Sequence, residues 1–310
     1  MQFCKILLMA VVFSLLPFSA FSAEHGAAAA AATAAGEHAG AAEHEGLTLH
    51  PVDLFNIGGF RITNSMIASW IVAIGLIVFA QIATRNIKAV PSGAQNFWEW
   101  LVEGLYNFLQ NIVGSDLVKK TFWFFATIFI LILFSNWFGL IPGVGTIKWR
   151  TEAGTWEPML RGVNADLNMT FAMSMVFFLC WIVWALQANG PGGFLAHIFG
   201  AKGNTTGALK VLMAVVFLLV GVLEVVSILF RPVSLSFRLF GNVYAGENML
   251  EAMSNILPGW FGSIVIPIPF YFLEVLVGMV QALVFMLLTA VFTLLICQHD
   301  PSHDAKHEHH

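Results

Sequence analysis

The stretch "SLSFRLFGNVYAGE", residues 234–247, places polar side chains inside an apolar run that extends from residue 208 to residue 256. Arg238, Asn242 and Glu247 fall within ten residues of one another. Charged and polar groups are costly in hydrocarbon and rare there, so such a cluster is either a loop or a working site inside the membrane. The rest of the chain distinguishes between these two interpretations.

The composition indicates a membrane protein. Of the 310 residues, 58% are hydrophobic and only 10% are charged, whereas a soluble domain has about 25% charged residues. Repeated long apolar runs predict an all-α polytopic bundle. The net charge of -4 and the lack of a basic tract in the sequence argue against a nucleic-acid partner.

The two ends of the chain differ from this apolar domain, which covers residues 63–298. Residues 1–22 have the charge, apolar core and small residues of a signal peptide; an uncleaved first transmembrane helix is the alternative. Residues 23–62 begin with an Ala/Gly/Glu/His tract and are interpreted as a flexible extracytoplasmic arm. The His-rich tail, residues 299–310, is interpreted as solvated rather than as a metal site.

Apolar runs of sufficient length predict transmembrane helices at about 66–83, 121–141, 167–187 and 270–297. Residues 188–207 are predicted to be a Gly-rich connection, and residues 144–166 a polar loop. Residues 91–114 carry apolar side chains at helical spacing, among them Phe97, Leu101, Leu105 and Phe108. This pattern predicts an amphipathic helix at the membrane interface.

The apolar run of residues 208–256 is long enough for two crossings, since one crossing needs about 20 helical residues. However, Arg231 and Pro232 make a poor aqueous turn, because no glycine or polar run accompanies them. We therefore expect one steeply inclined helix. The turn "LPGW" at 257–260 then makes residues 208–297 a long helical hairpin. This gives five crossings, with the mature N-terminus outside and the tail in the cytoplasm.

The polar residues of the hairpin recur at helical spacings. Ser234, Arg238 and Asn242 follow each other at intervals of four and form one stripe. Glu224, Arg231 and Arg238 recur at intervals of seven, also close to one face. Three of these residues have structural alternatives: an ordinary snorkelling side chain for Arg231, an interfacial carboxylate for Glu224 and a small residue at a helix contact for Ser234.

A count from the turn predicts the depth of these groups. Folding the chain back at Pro258 and Gly259 brings Arg238 level with Gln281, and Glu247 level with Glu274. Arginine stays protonated, so it can separate two proton paths but cannot relay protons, whereas carboxylates exchange protons with water. The pattern predicts two half-channels with an arginine between them. The acid that meets the arginine is expected on a partner subunit.

The same residues resemble a known family. "RPVSLSFRLFGNVYAGE" at 231–247 and "FLEVLVGMVQALVFMLLTAVF" at 272–292 are similar to subunit a of the Fo sector of F-type ATP synthases. "GLIPG" at 139–143 and "ADLNMTFAMS" at 165–174 also fit that family. The resemblance spans roughly residues 50–297 and implies strongly tilted last helices.

The resemblance implies that Arg238 faces a rotating ring of c subunits and that Asn242 and Gln281 support it. The implied partners are the c-ring, the b-subunit peripheral stalk, the rest of the F1Fo complex and the lipid bilayer. No GxxxxGK[ST] motif occurs in the sequence, so nucleotide chemistry is expected on other subunits, with no cofactor here. The implied location is a bacterial inner membrane.

The resemblance also implies the lining of both half-channels. Glu247 and Glu274 would line the one open to the periplasm, and Glu224 and Ser234 would lie toward the cytoplasmic one. Bacterial relatives often carry histidine where this chain has Glu274. Two rival functions are a secondary transporter, for which we expect internal repeats that the sequence lacks, and a structural scaffold, which does not need a mid-membrane arginine.

Overall fold

A computed structural model describes residues 53–57, 60–141, 144, 148–150, 156–199, 208–256 and 264–297. The predicted signal peptide, residues 23–52 of the arm, the turn at 257–260 and the His-rich tail lie outside the described residues.

Long helices make up most of the described chain. They are α1 (Asn64–Thr84), α2 (Ala94–Val113), α3 (Ser115–Gly139), α4 (Leu167–Phe199), α5 (Ala208–Ser254) and α6 (Ile268–Cys297). A short 3-10 helix, Val163–Ala165, precedes α4. All of the long helices except α2 are long and apolar enough to cross a membrane, which gives five candidate crossings among the described residues. The prediction of an all-α polytopic membrane protein is confirmed.

Helix α5 confirms that residues 208–254 form one path. It contains 47 residues with Pro232 inside it, and at 1.5 Å per residue it is about 70 Å long. A hydrocarbon core is only about 30 Å thick, so α5 must be inclined or extend beyond it. A second crossing would need the chain to reverse direction within this segment, and the continuous helix leaves no turn for that.

Helix α4 differs from its prediction. It continues to Phe199 instead of ending near residue 187, so residues 188–199 are helical rather than a connection. Its backbone breaks only at Gly190, whose φ of 68° glycine adopts without steric cost. Pro191 follows, and proline is favoured at the first position of a helix. The "NGPGG" sequence therefore ends one helical stretch and starts another.

Helix α2 is amphipathic, as predicted, although its buried side differs from the expected one. The buried apolar residues are Trp98, Leu105, Leu109 and Val113. Phe97 and Phe108, which the spacing placed on the apolar face, are 43% and 39% exposed. The packed stripe starts one residue later than expected because Trp98 is buried in place of Phe97.

Short strands lie where the sequence predicted only an arm and a polar loop. Strand β1 (Asp53–Ile57) pairs antiparallel with β2 (Phe60–Thr63), directly before α1. Strand β3 (Lys148–Arg150) pairs antiparallel with β4 (Trp156–Pro158), before α4.

The chain divides into two compact units. The first unit comprises the described parts of Met1–Gln81, Ile130–Thr170 and Leu239–Gln281. The second comprises those of Ile82–Phe129, Phe171–Arg238 and Ala282–His310. Five of the six long helices contribute residues to both units, because the boundaries between the units fall inside these helices.

In the second unit, aromatic rings and a hydrogen bond from a side chain to a backbone carbonyl connect the helices. Trp184 contacts Trp123 and Phe124 with ring centroids 6.3 and 5.5 Å apart. Asn189 donates a hydrogen bond to the carbonyl of Ile296 at 2.7 Å. These contacts join α4 to α3 and to the end of α6.

In the first unit, Asp166 connects the segment before α4 to the start of α1. Its carboxylate is only 3% exposed. It accepts hydrogen bonds from the Ser65 hydroxyl at 2.5 Å and from the backbone N–H of Asn168 at 2.9 Å. The Asn64 amide donates to the Pro158 carbonyl at 3.2 Å, so two side chains anchor this segment to α1.

Substitution of Asp166 by asparagine should flatten the pH dependence of stability. Burial raises the pKa of this carboxyl from its ordinary value of 3.8, although Ser65, Asn168 and Arg161 act in the opposite direction. The native chain thus keeps a proton that the unfolded chain releases, so the free energy of unfolding falls as pH rises above the ordinary pKa. Each unit of raised pKa corresponds to about 1.4 kcal/mol.

The measurement is the thermal midpoint of the purified chain in detergent from about pH 4 to about pH 8, a range that brackets the titration of a raised carboxyl. The thermal midpoint of Asp166→Asn should decline less with rising pH than that of the unsubstituted chain. The midpoint of the exposed control Glu103→Gln should decline as much as that of the unsubstituted chain. An equal decline in Asp166→Asn would contradict the assignment.

Candidate functional site

Arg238 lies on the surface of the chain, at the middle of the polar stretch of α5. Its side chain is exposed, and it forms no ion pair with any residue that the structure describes. Apolar side chains earlier on the helix are exposed as well: Leu223 is 68%, Phe230 64% and Phe237 51% exposed. A permanent positive charge thus stands on an apolar surface.

Two further predicted residues precede Arg238 on the same helix. Ser234 is exposed. Glu224 accepts a hydrogen bond from Arg231 at 3.2 Å, which confirms that residues seven apart share a face. The two side chains are 46% and 19% exposed, respectively.

Arg231 is held by more than this ion pair. Its guanidinium carbon lies 4.6 Å from the ring centroid of Phe292 and 5.6 Å from that of Trp181. Trp181 is itself fixed, because its indole N–H donates to the Phe292 carbonyl at 3.1 Å. We call Arg231, Trp181 and Phe292 the arginine clamp. These contacts hold the Arg231 guanidinium against the two rings.

In the first unit, the structure brings Glu247 and Glu274 together. Glu274 is 8% exposed, and its carboxylate lies against Gly246, where a Cβ would overlap it. Glu247 is the next residue and interacts electrostatically with Glu274. This arrangement agrees with the depth count, which placed the two carboxylates at the same level.

The Glu247 carboxylate packs against the backbone of two glycines, Gly162 and Gly139. The backbone N–H of Gly162 donates to its carboxylate, and a Cβ at Gly162 would overlap Oε1. A Cβ at Gly139 would lie 3.5 Å from the same oxygen. Two glycines therefore leave the space that this carboxylate occupies.

Arg161 supplies a positive charge to this site. It is 4% exposed, and its guanidinium carbon lies 5.9 Å from the ring centroid of Tyr244. Its charge acts on both Glu247 and Asp166. The sequence predicted only a loop charge at this position, since nothing in the local pattern indicates that the residue is buried.

Amide side chains hold the stretch of α6 that carries Glu274. Asn136 donates to the Gly278 carbonyl at 3.0 Å, one turn after Glu274. Asn164 donates to the Asn136 side-chain oxygen at 2.6 Å. Trp137 donates to the Val275 carbonyl at 3.2 Å. Asn136 and Trp137 lie shortly before the "GLIPG" motif and Asn164 lies directly before "ADLNMTFAMS", but no spacing rule relates them to Glu274.

The remaining predicted residues are located as follows. Asn242 and Gln281 are partly buried and belong to the first unit, whereas Arg238 belongs to the second. The level of Arg238 relative to Gln281 stays a prediction.

The model of the ATP synthase A chain family matches residues 66–293, which include every predicted site residue. The chain belongs to this family. It is 32% identical over 244 residues to ATP synthase subunit a of Geobacter sp. (strain M21), which covers 79% of this chain and 90% of that relative. It is 33% identical over 228 residues to ATP synthase subunit a of Gloeobacter violaceus, covering 74% and 81% of the two chains.

A third relative, ATP synthase subunit a of Campylobacter fetus, is 31% identical over 223 residues, or 72% of this chain and 84% of that one. Family membership and the five apolar helices together support a multi-pass membrane subunit of an ATP synthase with a part in proton transport.

Substitution of Gly246 by alanine should destabilise the chain. The added methyl group would overlap the Glu274 carboxylate, and overpacking of this kind costs about 1–3 kcal/mol. The matched control is Gly241→Ala on the same helix, where a Cβ meets no atom within 4 Å. That control should gain up to about 1 kcal/mol from helix propensity. Thermal unfolding of the purified chain in detergent measures both.

A double substitution identifies the cause. In a Glu274→Ala background the penalty of Gly246→Ala should largely disappear, because the overlapping group is gone. A penalty of unchanged size in that background would show that Glu274 is not the group displaced.

Proposed function

We propose that the chain is the stator subunit a of a proton-translocating F-type ATP synthase. It forms two offset half-channels that pass protons to and from the carboxylates of a rotating c-ring, and Arg238 blocks direct leakage between them. The observation that carries this proposal is the exposed guanidinium of Arg238 on an apolar surface of α5.

An exposed arginine within an apolar helix needs a counter-charge that lipid does not supply. Within the described residues no carboxylate pairs with Arg238, and the proposal gives it a partner on another subunit. A carboxylate on a neighbouring membrane subunit meets this need. The exposed side chains of Leu223, Phe230 and Phe237 offer an apolar surface for the same neighbour.

On the outer side, Glu247 and Glu274 would exchange protons with the periplasm. Both carboxylates are largely enclosed by protein, and Arg161 is close enough to influence Glu247. Carboxylates that can hold or release a proton are the groups such a path needs.

On the inner side, Ser234 and Glu224 would mark the cytoplasmic half-channel. Both are exposed on the same helix as Arg238, and Arg231 supplies a charge next to Glu224. Asn242 and Gln281 would support the Arg238 side chain through their amide groups.

The proposal includes the partners and the orientation. The c-ring, the b-subunit stalk and the rest of the F1Fo complex would be the partners, and nucleotide chemistry would belong to other subunits. The mature N-terminus would face the periplasm of a bacterial inner membrane, with the C-terminus in the cytoplasm.

Substitution of Arg238 by alanine should abolish ATP-driven proton pumping in inverted membrane vesicles that carry the whole complex. Arg238→Lys should also fail, because an ammonium facing hydrocarbon or a partner subunit instead of water can lose its proton, whereas a guanidinium keeps it. The matched control is Arg85→Ala, since Arg85 is an exposed arginine just after α1. That variant should pump at the unsubstituted rate.

Assembly is checked by the amount of complex in the vesicles and by its ATP hydrolysis. Pumping that survives Arg238→Ala in an assembled complex would overturn the proposal. Substrate-coupled ion uptake by this chain alone, in vesicles without a c-ring, would favour the secondary transporter.

A further inference from the structure

A third carboxylate lies beside the outer pair, and neither the sequence motifs nor the proposed function assigns it a role. Glu251 follows Glu247 by four residues on α5, so their Cβ atoms are about 5–6 Å apart. Its charge acts on Glu247. We call Glu247, Glu251 and Glu274 the acidic cluster.

Two oxygens of the acidic cluster are buried and unsatisfied. Oε2 of Glu247 and Oε2 of Glu251 are both inaccessible to solvent, and neither has a hydrogen-bond partner among the described residues. A buried carboxylate oxygen without a donor is costly when the group is ionised. A protonated carboxyl removes this cost, because its O–H can donate to a neighbouring oxygen.

The balance of charges in the first unit points in the same direction. The groups that act on Glu247 are Arg161, Glu274 and Glu251, and Arg161 also faces Asp166. Two negative charges thus act on Glu247, against one positive charge that Glu247 shares with Asp166. A proton held within such a group of carboxylates lowers their mutual repulsion.

Glu251 is the member of the pair nearer the end of the helix. The apolar span ends at Ser254, three residues after Glu251 and seven after Glu247. These separations correspond to about 4.5 Å and about 10.5 Å along the axis. A proton that enters from this end therefore meets Glu251 before Glu247.

We propose that Glu251 is a further proton-exchanging residue, which passes protons between water and Glu247 in the outer half-channel. This inference rests on the proposed function. In the inward step, the O–H bond of protonated Glu251 breaks and an O–H bond forms at Oε2 of ionised Glu247. Glu251 is left ionised and takes a new proton from hydronium, which becomes water. The outward step is the reverse.

The test compares Glu251→Gln with Glu251→Asp in the whole complex reconstituted into vesicles, with Glu103→Gln as the matched control. Glu103 is an exposed carboxylate on α2. Glu251→Gln should lower the rate of ATP synthesis driven by a pH gradient several-fold and shift its dependence on the pH of the outer compartment. Glu251→Asp keeps a carboxyl group, so it should synthesise ATP at nearly the unsubstituted rate and with nearly the unsubstituted pH dependence. Glu103→Gln should change neither the rate nor the pH dependence.

Each outcome decides the inference. An assembled Glu251→Gln complex with the unsubstituted rate and pH profile would overturn it, as would a Glu251→Asp complex as impaired as the amide. If Glu251→Gln does not assemble, Glu251→Asp is compared with Glu251→Asn. These two side chains have equal length, and only the first carries a carboxyl group. Failure of both amides to assemble would assign Glu251 a structural role and overturn the proton-exchanging one.

The Arg238→Ala complex separates this inference from the proposed function. If Arg238→Ala abolishes pumping while Glu251→Gln leaves the pH profile unchanged, only the role of Glu251 is wrong. If Arg238→Ala pumps normally, the proposed function itself is wrong.

Discussion

The low dielectric of a membrane interior requires every ionisable side chain to have a partner, and most of the structure around the polar residues follows from this constraint. Glu247 receives a backbone N–H from Gly162 and the charge of Arg161, and Glu224 pairs with Arg231. Arg238 is the exception among the arginines that α5 carries, since it is exposed and unpaired within the described chain. Under the proposed function, a carboxylate of a neighbouring subunit supplies the partner that the described residues do not give Arg238.

The two units satisfy the constraint in different ways. In the first, backbone and small polar side chains do so: glycines make room for the carboxylates, and Asn136 and Asn164 hold the facing helix. In the second, aromatic rings do so, because Trp181 and Phe292 surround the Arg231 guanidinium. The rings add to the ion pair with Glu224 without exchanging protons, whereas the first unit gathers several carboxyl groups.

Hydropathy and helical spacing were sufficient for the five crossings, for the single path of α5 and for the proximity of Glu247 and Glu274. These features depend on length and on period, which are local properties of a sequence. The continuation of α4 beyond Gly190 was not predicted, because "NGPGG" is equally typical of a loop. Arg161 and Asn136 were missed for another reason: their importance comes from contacts with residues far along the chain.

The arginine clamp has a mechanical consequence. Pro232 has no N–H, so the carbonyl of Ile228 lacks its helical hydrogen bond and α5 bends most easily at this turn. Arg231 is the adjacent residue, and its contacts with Trp181 and Phe292 brace the helix where it is weakest. Under the proposed function a rotor pushes sideways on Arg238, six residues after Pro232. The contacts of the arginine clamp then support α5 against that load, so that the helix does not bend away from the moving ring.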